Sequence, residues 1–342
     1  MDDLRTSTGV GLRTCAIVAV AMGAMLLSGA VDPVDLITPG REGPSAAVIA
    51  ADFGPDAVPA DRTGYDGQQF YAIARDFPDL EAAAANLDAP RYRLLRIVAP
   101  ALASVGGKGA PVVLLLAAIN VLGTGLACAA LALLCADRGW SPSLGYLAAL
   151  PVIFGIIGST ADPISLGLGL AGVAAAHRHR HGTAIAILVL AALTREQVAA
   201  IGLGVGAGLW LAGERPRILP LYALPVVAVG VWYLVLGSIV GGTLPDRFDV
   251  LAMFSTGLDG LVLGALCLGL SLWGAWAWRS VPAAWPVALG FGLWILVYYK
   301  GTFDLAALPR TTAPSLALGL AAVGALLRPL PTNARPTSQM DS

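Results

Sequence analysis

Long apolar runs alternate with short polar breaks along most of this chain. The runs cover residues 14–31 and then, approximately, 110–135, 142–158, 163–176, 182–193, 197–213, 219–241, 258–278, 283–298 and 311–327. A helix needs about 20 apolar residues to cross the roughly 30 Å hydrocarbon core of a bilayer. The pattern therefore predicts an all-α, polytopic membrane helix bundle of about ten spans, several of them short. The chain reads as one membrane domain, 1–342, with spans over 14–31 and 110–328 and an unstructured cytoplasmic tail at 329–342.

One region breaks the pattern. Residues 32–109 form a long polar loop, and its part from Asp32 to Asp88 holds eleven acidic residues. Its first half, to about Thr63, is rich in Pro, Gly, Ala and Asp and reads as irregular. Residues 68–77 read as a short amphipathic helix, with Phe70, Ile73, Ala74 and Phe77 on one face. Alone in water such a helix is marginal, so it is expected on the membrane surface or against the bundle. Residues 92–105 are a second interfacial segment, too short and too basic to span. Arg93 and Arg96 share one face there, three positions apart.

Composition supports a membrane class: 57% of residues are hydrophobic and 13% are charged, against about 25% charged in soluble domains. With a net charge of −1, nothing suggests nucleic-acid binding, which would need a basic stripe. Cys15, Cys128, Cys135 and Cys267 all fall in apolar runs without metal-ligand spacing and read as small hydrophobes. No Walker loop, HExxH, GxSxG or dinucleotide fingerprint is present, so no nucleotide or organic cofactor is expected.

Charge distribution sets the expected topology. If residues 92–105 do not cross, Arg138, the His177–Arg178–His179–Arg180–His181 cluster, Arg215, Arg217, Arg279, Arg328 and Arg335 share a face with Arg5 and Arg13. The positive-inside rule makes that face cytoplasmic and puts both termini there. A retained first helix is preferred over a cleaved leader ending near Leu27–Ala30. The histidine cluster offers metal ligands but reads more simply as a basic anchor, and no metal ligand is assigned. The opposite, extracytoplasmic face then collects the polar loop, Ser159–Pro163, Thr194–Gln197, Asp246–Asp249 and residues 300–310. Charges that cluster beside apolar spans mark functional sites.

Candidate chemistry concentrates in residues 64–76, Gly-Tyr-Asp-Gly-Gln-Gln-Phe-Tyr-Ala-Ile-Ala-Arg-Asp. Asp66 is the candidate general base. With Gln69 it also fits a capping box opening the 68–77 helix, a purely structural role. Arg75, Arg93, Arg96, Arg195 and Lys300 are candidates for binding phosphate, because guanidinium groups offer paired donors to its oxygens. Their plainer roles are headgroup anchoring or ion pairs with Asp76, Asp79 and Asp88. Tyr65, Gln68, Gln69, Tyr71 and Glu196 are candidates for orienting a sugar. Asp162, ahead of Pro163, reads as a helix cap.

The motif at 64–76, the Ala-Pro-Arg-Tyr-Arg-Leu-Leu-Arg-Ile segment at 89–97 and Leu-Thr-Arg-Glu at 193–196 together resemble bacterial membrane proteins of cell-surface glycopolymer formation. These are similar in layout to the GT-C class of polyprenyl-phosphate-dependent glycosyltransferases, which includes protein mannosyltransferases. The resemblance runs from the first helix to about residue 213; beyond it, only hydrophobicity is shared. It implies a catalytic carboxylate in the first exterior loop, where Asp66 stands. It also implies a sugar donor on a polyprenyl phosphate, held by basic residues such as Arg96, Arg195 and Lys300, and an acceptor glycan, lipid or protein. Inversion at the sugar is the expected outcome, in the inner or plasma membrane. Many relatives carry paired acids at the loop, whereas Gly67 follows Asp66 here, with Asp61 and Asp76 the nearest further acids. That departure leaves a divalent-cation requirement open. The alternative is a non-catalytic transporter, flippase or assembly subunit for a lipid-linked glycopolymer.

Overall fold

A computed structural model describes residues 2–41, 43–59, 64–214, 217–241, 258–293 and 313–326. These residues are 80% helical and contain no strand. The helices are α1 (Asp2–Leu27), α2 (Ala46–Phe53), α3 (Asp66–Asp76), α4 (Leu80–Ala84), α5 (Pro90–Arg93), α6 (Val98–Ala103) and α7 (Ala110–Asp137). They continue with α8 (Ile153–Ile157), α9 (Asp162–His177), α10 (His181–Thr194), α11 (Ala199–Leu211), α12 (Leu224–Ile239), α13 (Leu258–Ala277), α14 (Trp285–Leu293) and α15 (Ala313–Leu326).

Among the described residues, three helical stretches are long and apolar enough to cross a membrane: Asp2–Leu27, Ala110–Asp137 and Leu219–Ile239, the last joining a 3-10 turn to α12. Each apolar run of the sequence does hold a helix. Most are shorter than a span, however, because prolines and charged breaks end them early: Pro142–Val152 is 3-10 with Pro151 inside it, and Arg195 ends α10 in an extended conformation. The first helix begins at Asp2, well before residue 14. Its opening turns are polar yet helical, and Ser7, Val10, Gly11 and Thr14 are its buried positions.

α7 is the axis of the fold. It packs against α1 on one side, α9 on another and the 3-10 stretch Pro142–Val152 on a third. Small residues permit this crowding. A Cβ on Gly123 would strike the backbone of Pro163 and Ile164, and one on Gly167 would strike the Gly123 carbonyl. α13, α14 and α15 pack together, and α15 meets Pro142–Val152.

The polar loop is a packed lobe with its own core. Ile37, Ile49, Phe70, Tyr71, Ile73, Leu94 and Ala103 are buried there with Val112, Val113, Leu116 and Ala117 of α7. Two expectations change. The first half is not irregular, since it holds a 3-10 turn over Pro33–Ile37 and the helix α2. The helix read at 68–77 starts at Asp66, and every residue from Gly67 to Ala74 is buried. It therefore does not lie on a surface; it packs within the lobe against α6 and α7, the second of the two expected places. Between α5 and α7, the segment 90–106 is split into α5, a 3-10 turn, α6 and a second 3-10 turn, with no continuous helix above 6 residues. Such pieces are far shorter than a span.

The four cysteines form no disulfide. Cys128, Cys135 and Cys267 are buried and Cys15 is partly so, as small apolar side chains would be.

Candidate functional site

The chain entering α3 is extended at Tyr65, with φ −136° and ψ −179°. Asp66 is thus the first residue of the helix, and Tyr65 occupies the cap. No capping-box hydrogen bond forms. Asp66 does not hold the cap position that the expected capping box with Gln69 needs, and its carboxylate meets two arginines. Arg93 Nη1 donates to Asp66 Oδ1 at 2.6 Å, and Arg96 Nη1 stands 3.5 Å from Oδ2. The helix N-terminus adds a further favourable field for a carboxylate.

Both arginines belong to the segment after Pro90. Arg93 closes α5 and Arg96 closes the 3-10 turn Leu94–Arg96. Their three-residue spacing presents both to one side. Each is also clamped by a second acid. Arg93 donates from Nε and Nη2 to the two oxygens of Asp88, at 2.7 Å each. Arg96 donates from Nε and Nη2 to Glu196, at 3.0 and 2.9 Å. Planar forks suit such bidentate pairing. Arg96 also bonds the Tyr92 hydroxyl, and its guanidinium carbon lies 4.6 Å from the Tyr92 ring centre.

Glu196 and Arg195 come from the break between α10 and α11. Arg195 pairs with Asp162, the first residue of α9, and Thr160 Oγ1 donates to Asp162 Oδ2 at 2.5 Å. Asp162 is 1% exposed. It is a buried ion-pair partner, not a helix cap; Ala161 stands at the cap position. Charges this deep persist only when paired, and the chain supplies both signs.

The electrostatic outcome at Asp66 follows. Burial pushes its carboxyl upward, but Arg93, Arg96 and Arg195 outweigh burial and hold it below its ordinary value. Asp66 is ionised at neutral pH.

Beside Asp66 lies a cavity of about 310 Å³, lined by Tyr65, Asp66, Gln68, Gln69, Asp88 and Arg93 together with Gly43, Pro44 and Gly64. Gln68 Oε1 accepts from the Gly40 amide at 3.1 Å, and Gln69 Oε1 from the Asp88 amide at 3.4 Å. A Cβ on Gly43 or Gly64 would collide with the Gln68 side chain, so these glycines leave room for that amide at the cavity wall.

Of the sequence candidates, Asp66, Arg93, Arg96, Arg195 and Glu196 gather into one cluster, and Tyr65, Gln68 and Gln69 line its cavity. Arg75 and Tyr71 do not join it. Arg75 pairs with Asp52 and Asp76 at 2.6 Å each. Tyr71 donates to Asp52 at 2.6 Å and accepts from the Gly109 amide at 2.8 Å. The reason is helical phase: nine positions at 100° place Arg75 about 180° round α3 from Asp66 and roughly 13 Å along it. Lys300 lies outside the described residues. Asp88 and Tyr92 were not singled out by sequence as site residues; their proximity to Pro90 and to the arginine pair was the available signal. Among the described residues, no trio of potential metal-binding side chains forms around Asp66; its two oxygens face guanidinium groups.

Gly67 explains the missing second acid. Its Cβ would lie 2.8 Å from the Ile37 carbonyl oxygen and 2.9 Å from the Ile37 Cα, and closer still to the Gly158 carbonyl. No side chain fits without moving backbone.

No family model, curated protein or solved structure matches this chain.

Proposed function

We propose that this chain is a membrane glycosyltransferase that moves a sugar from a polyprenyl-phosphate donor to a cell-envelope acceptor, with Asp66 as general base. One observation carries the reading. Asp66, Arg93 and Arg96 of the lobe between the first two long helices converge with Glu196, from the break between α10 and α11, beside a cavity that Asp66 and Arg93 line. A carboxylate and several guanidinium groups at the edge of a membrane domain suit a substrate with a hydroxyl nucleophile and a phosphate leaving group.

In this reading the acceptor hydroxyl attacks the anomeric carbon while its proton passes to Asp66. The carbon–oxygen bond to the lipid phosphate breaks, and the polyprenyl phosphate leaves with the bonding electrons. Arg96 and Arg195 offset the charge gained by that phosphate. Oδ2 of Asp66 is the oxygen suited to the proton, because its arginine stands farther off than the one on Oδ1. In this reading the chain crosses about ten times, and the basic loops favour cytoplasmic termini with the lobe on the extracytoplasmic side.

Asp66 held low by arginines is a weak base until the donor phosphate draws a guanidinium away. The doubly paired carboxylate also favours a second reading, a non-catalytic carrier or assembly subunit for the lipid-linked glycan. The experiment is transfer from a labelled polyprenyl-phosphate sugar in proteoliposomes, comparing wild type with Asp66→Asn. The glycosyltransferase reading expects a loss of about 10²-fold or more, with donor binding retained. Full transfer by a normally folded Asp66→Asn protein removes Asp66 as the base. Donor binding or translocation with no transfer by the wild type selects the carrier.

A further inference from the structure

We propose that His179, His181 and Glu214 form a binding site for a divalent transition-metal ion, at the turn between α9 and α10. One ring nitrogen from each histidine and one Glu214 carboxylate oxygen all lie within 4.8 Å of one another. Two imidazoles and a carboxylate are a donor set suited to zinc and its neighbours, with one position left for water.

The local sequence places each ligand. α9 ends at His177, and His179 follows in the left-handed region, with φ +56°. Glycine is the usual residue just past a helix end in that conformation, yet the chain holds an imidazole there. His181 opens α10. Its Nδ1 lies 2.9 Å from the hydroxyl of Tyr222, a residue 1% exposed. A ring that donates Nδ1–H to such a partner keeps Nε2 as its ligand atom, the arrangement found around metal-bound histidines. Glu214 is fixed by the end of α11: its amide donates to the Leu209 carbonyl at 3.0 Å, and Gly213 takes φ +80°. Its Oε1 already stands 3.2 Å from His179 Nδ1.

Closing around an ion needs modest movement. Ligand atoms on a tetrahedral centre with bonds of about 2.0–2.2 Å stand roughly 3.4 Å apart. The His179 side chain, 68% exposed, has room to draw in. Arg178 does not oppose the ion with an unmatched charge, since Asp137 holds it at 2.8 and 3.1 Å. His177 stands 4.0 Å from the same Asp137 and lies outside the trio. Bound metal would clip the α9–α10 turn to the end of α11. Asp162 and Arg195 sit at the other end of α9, a 16-residue helix about 24 Å long. The site is therefore separate from the Asp66 cluster and does not depend on the transferase reading.

The test is zinc titration of tag-free protein in detergent against a chelating dye, with cobalt(II) absorption as a report of tetrahedral geometry. The expected result is about one ion per chain and a tetrahedral cobalt spectrum. His179→Ala and Glu214→Gln should weaken zinc by at least about 10-fold with helical content unchanged, and Tyr222→Phe should weaken it by about 10-fold through the His181 ring. His177→Ala should leave it intact. No stoichiometric zinc in the wild type overturns the proposal. So does equal weakening by His177→Ala and His179→Ala, which would mean that surface imidazoles bind without a built site.

Discussion

Arg96 grips Glu196 through Nε and Nη2 at 3.0 and 2.9 Å, although 100 positions separate the two in the chain. This pair ties the lobe after α1 to the break between α10 and α11. Removing one partner from a buried pair leaves an uncompensated charge, whereas removing both is tolerated. Glu196→Ala is expected to cost on the order of 3 kcal/mol, lessened by the contact Arg96 keeps with Asp66. The double variant Arg96→Met with Glu196→Leu should be less destabilised than the sum of the two single variants. Thermal unfolding in detergent measures the difference, and strict additivity would show that the pair is not coupled.

The Asp66 carboxyl lies below its ordinary value of 3.8, because its arginines outweigh burial. A folded-state value below the unfolded one means that the ionised pair stabilises the fold fully above about pH 4 and loses that contribution as pH falls through the folded value. The stability gap between wild type and Asp66→Asn should be constant from pH 7 to 5 and shrink below pH 4. Denaturation midpoints across that range check it; a gap that widens in acid would reverse the assignment.

Gly67 abuts the Ile37 and Gly158 backbones. Gly67→Ala is expected to destabilise by about 1–3 kcal/mol, as overpacking does, and Gly67→Asp by more. Gly67→Asp cannot place a second acid beside Asp66 without displacing α3. A fully stable Gly67→Asp protein would show that the close approach is not rigid.

Tyr71 separates packing from chemistry. Its hydroxyl bridges Asp52 and the Gly109 amide at 2.6 and 2.8 Å, so Tyr71→Phe should cost about 1–3 kcal/mol. On the transferase reading, transfer per folded molecule should stay unchanged, because Tyr71 lies off the Asp66 cluster. Lost transfer at normal stability would return Tyr71 to the site.

The site was half legible in the sequence. Arg195 and Glu196 announced themselves as charges interrupting an apolar run, where an unpaired charge is costly, and Asp66, Arg93 and Arg96 by their motif and spacing in the polar loop. Arg75 and Tyr71 looked equally eligible because they share the motif, and only helical phase removed them. Asp88 was legible as an ion-pair partner of the arginines, which it is for Arg93, whereas Asp162 passed as a cap residue. Glu214 carried no signal until the fold set it beside His179.

The sequence by itself determined that the apolar runs hold helices, though not the helix α2 inside the polar loop or the early start of α1. Apolar runs bounded by Pro, Gly and charge leave the backbone no other way to satisfy its hydrogen bonds in an apolar setting. Tertiary structure decided the partners. Asp66 with Arg93 is a pairing across 27 positions and Arg96 with Glu196 across 100, distances that no helical period links. It also decided that the polar loop has a core and that Gly67 must be bare. Those facts depend on which surfaces meet, and a one-dimensional pattern records only which surfaces are apolar.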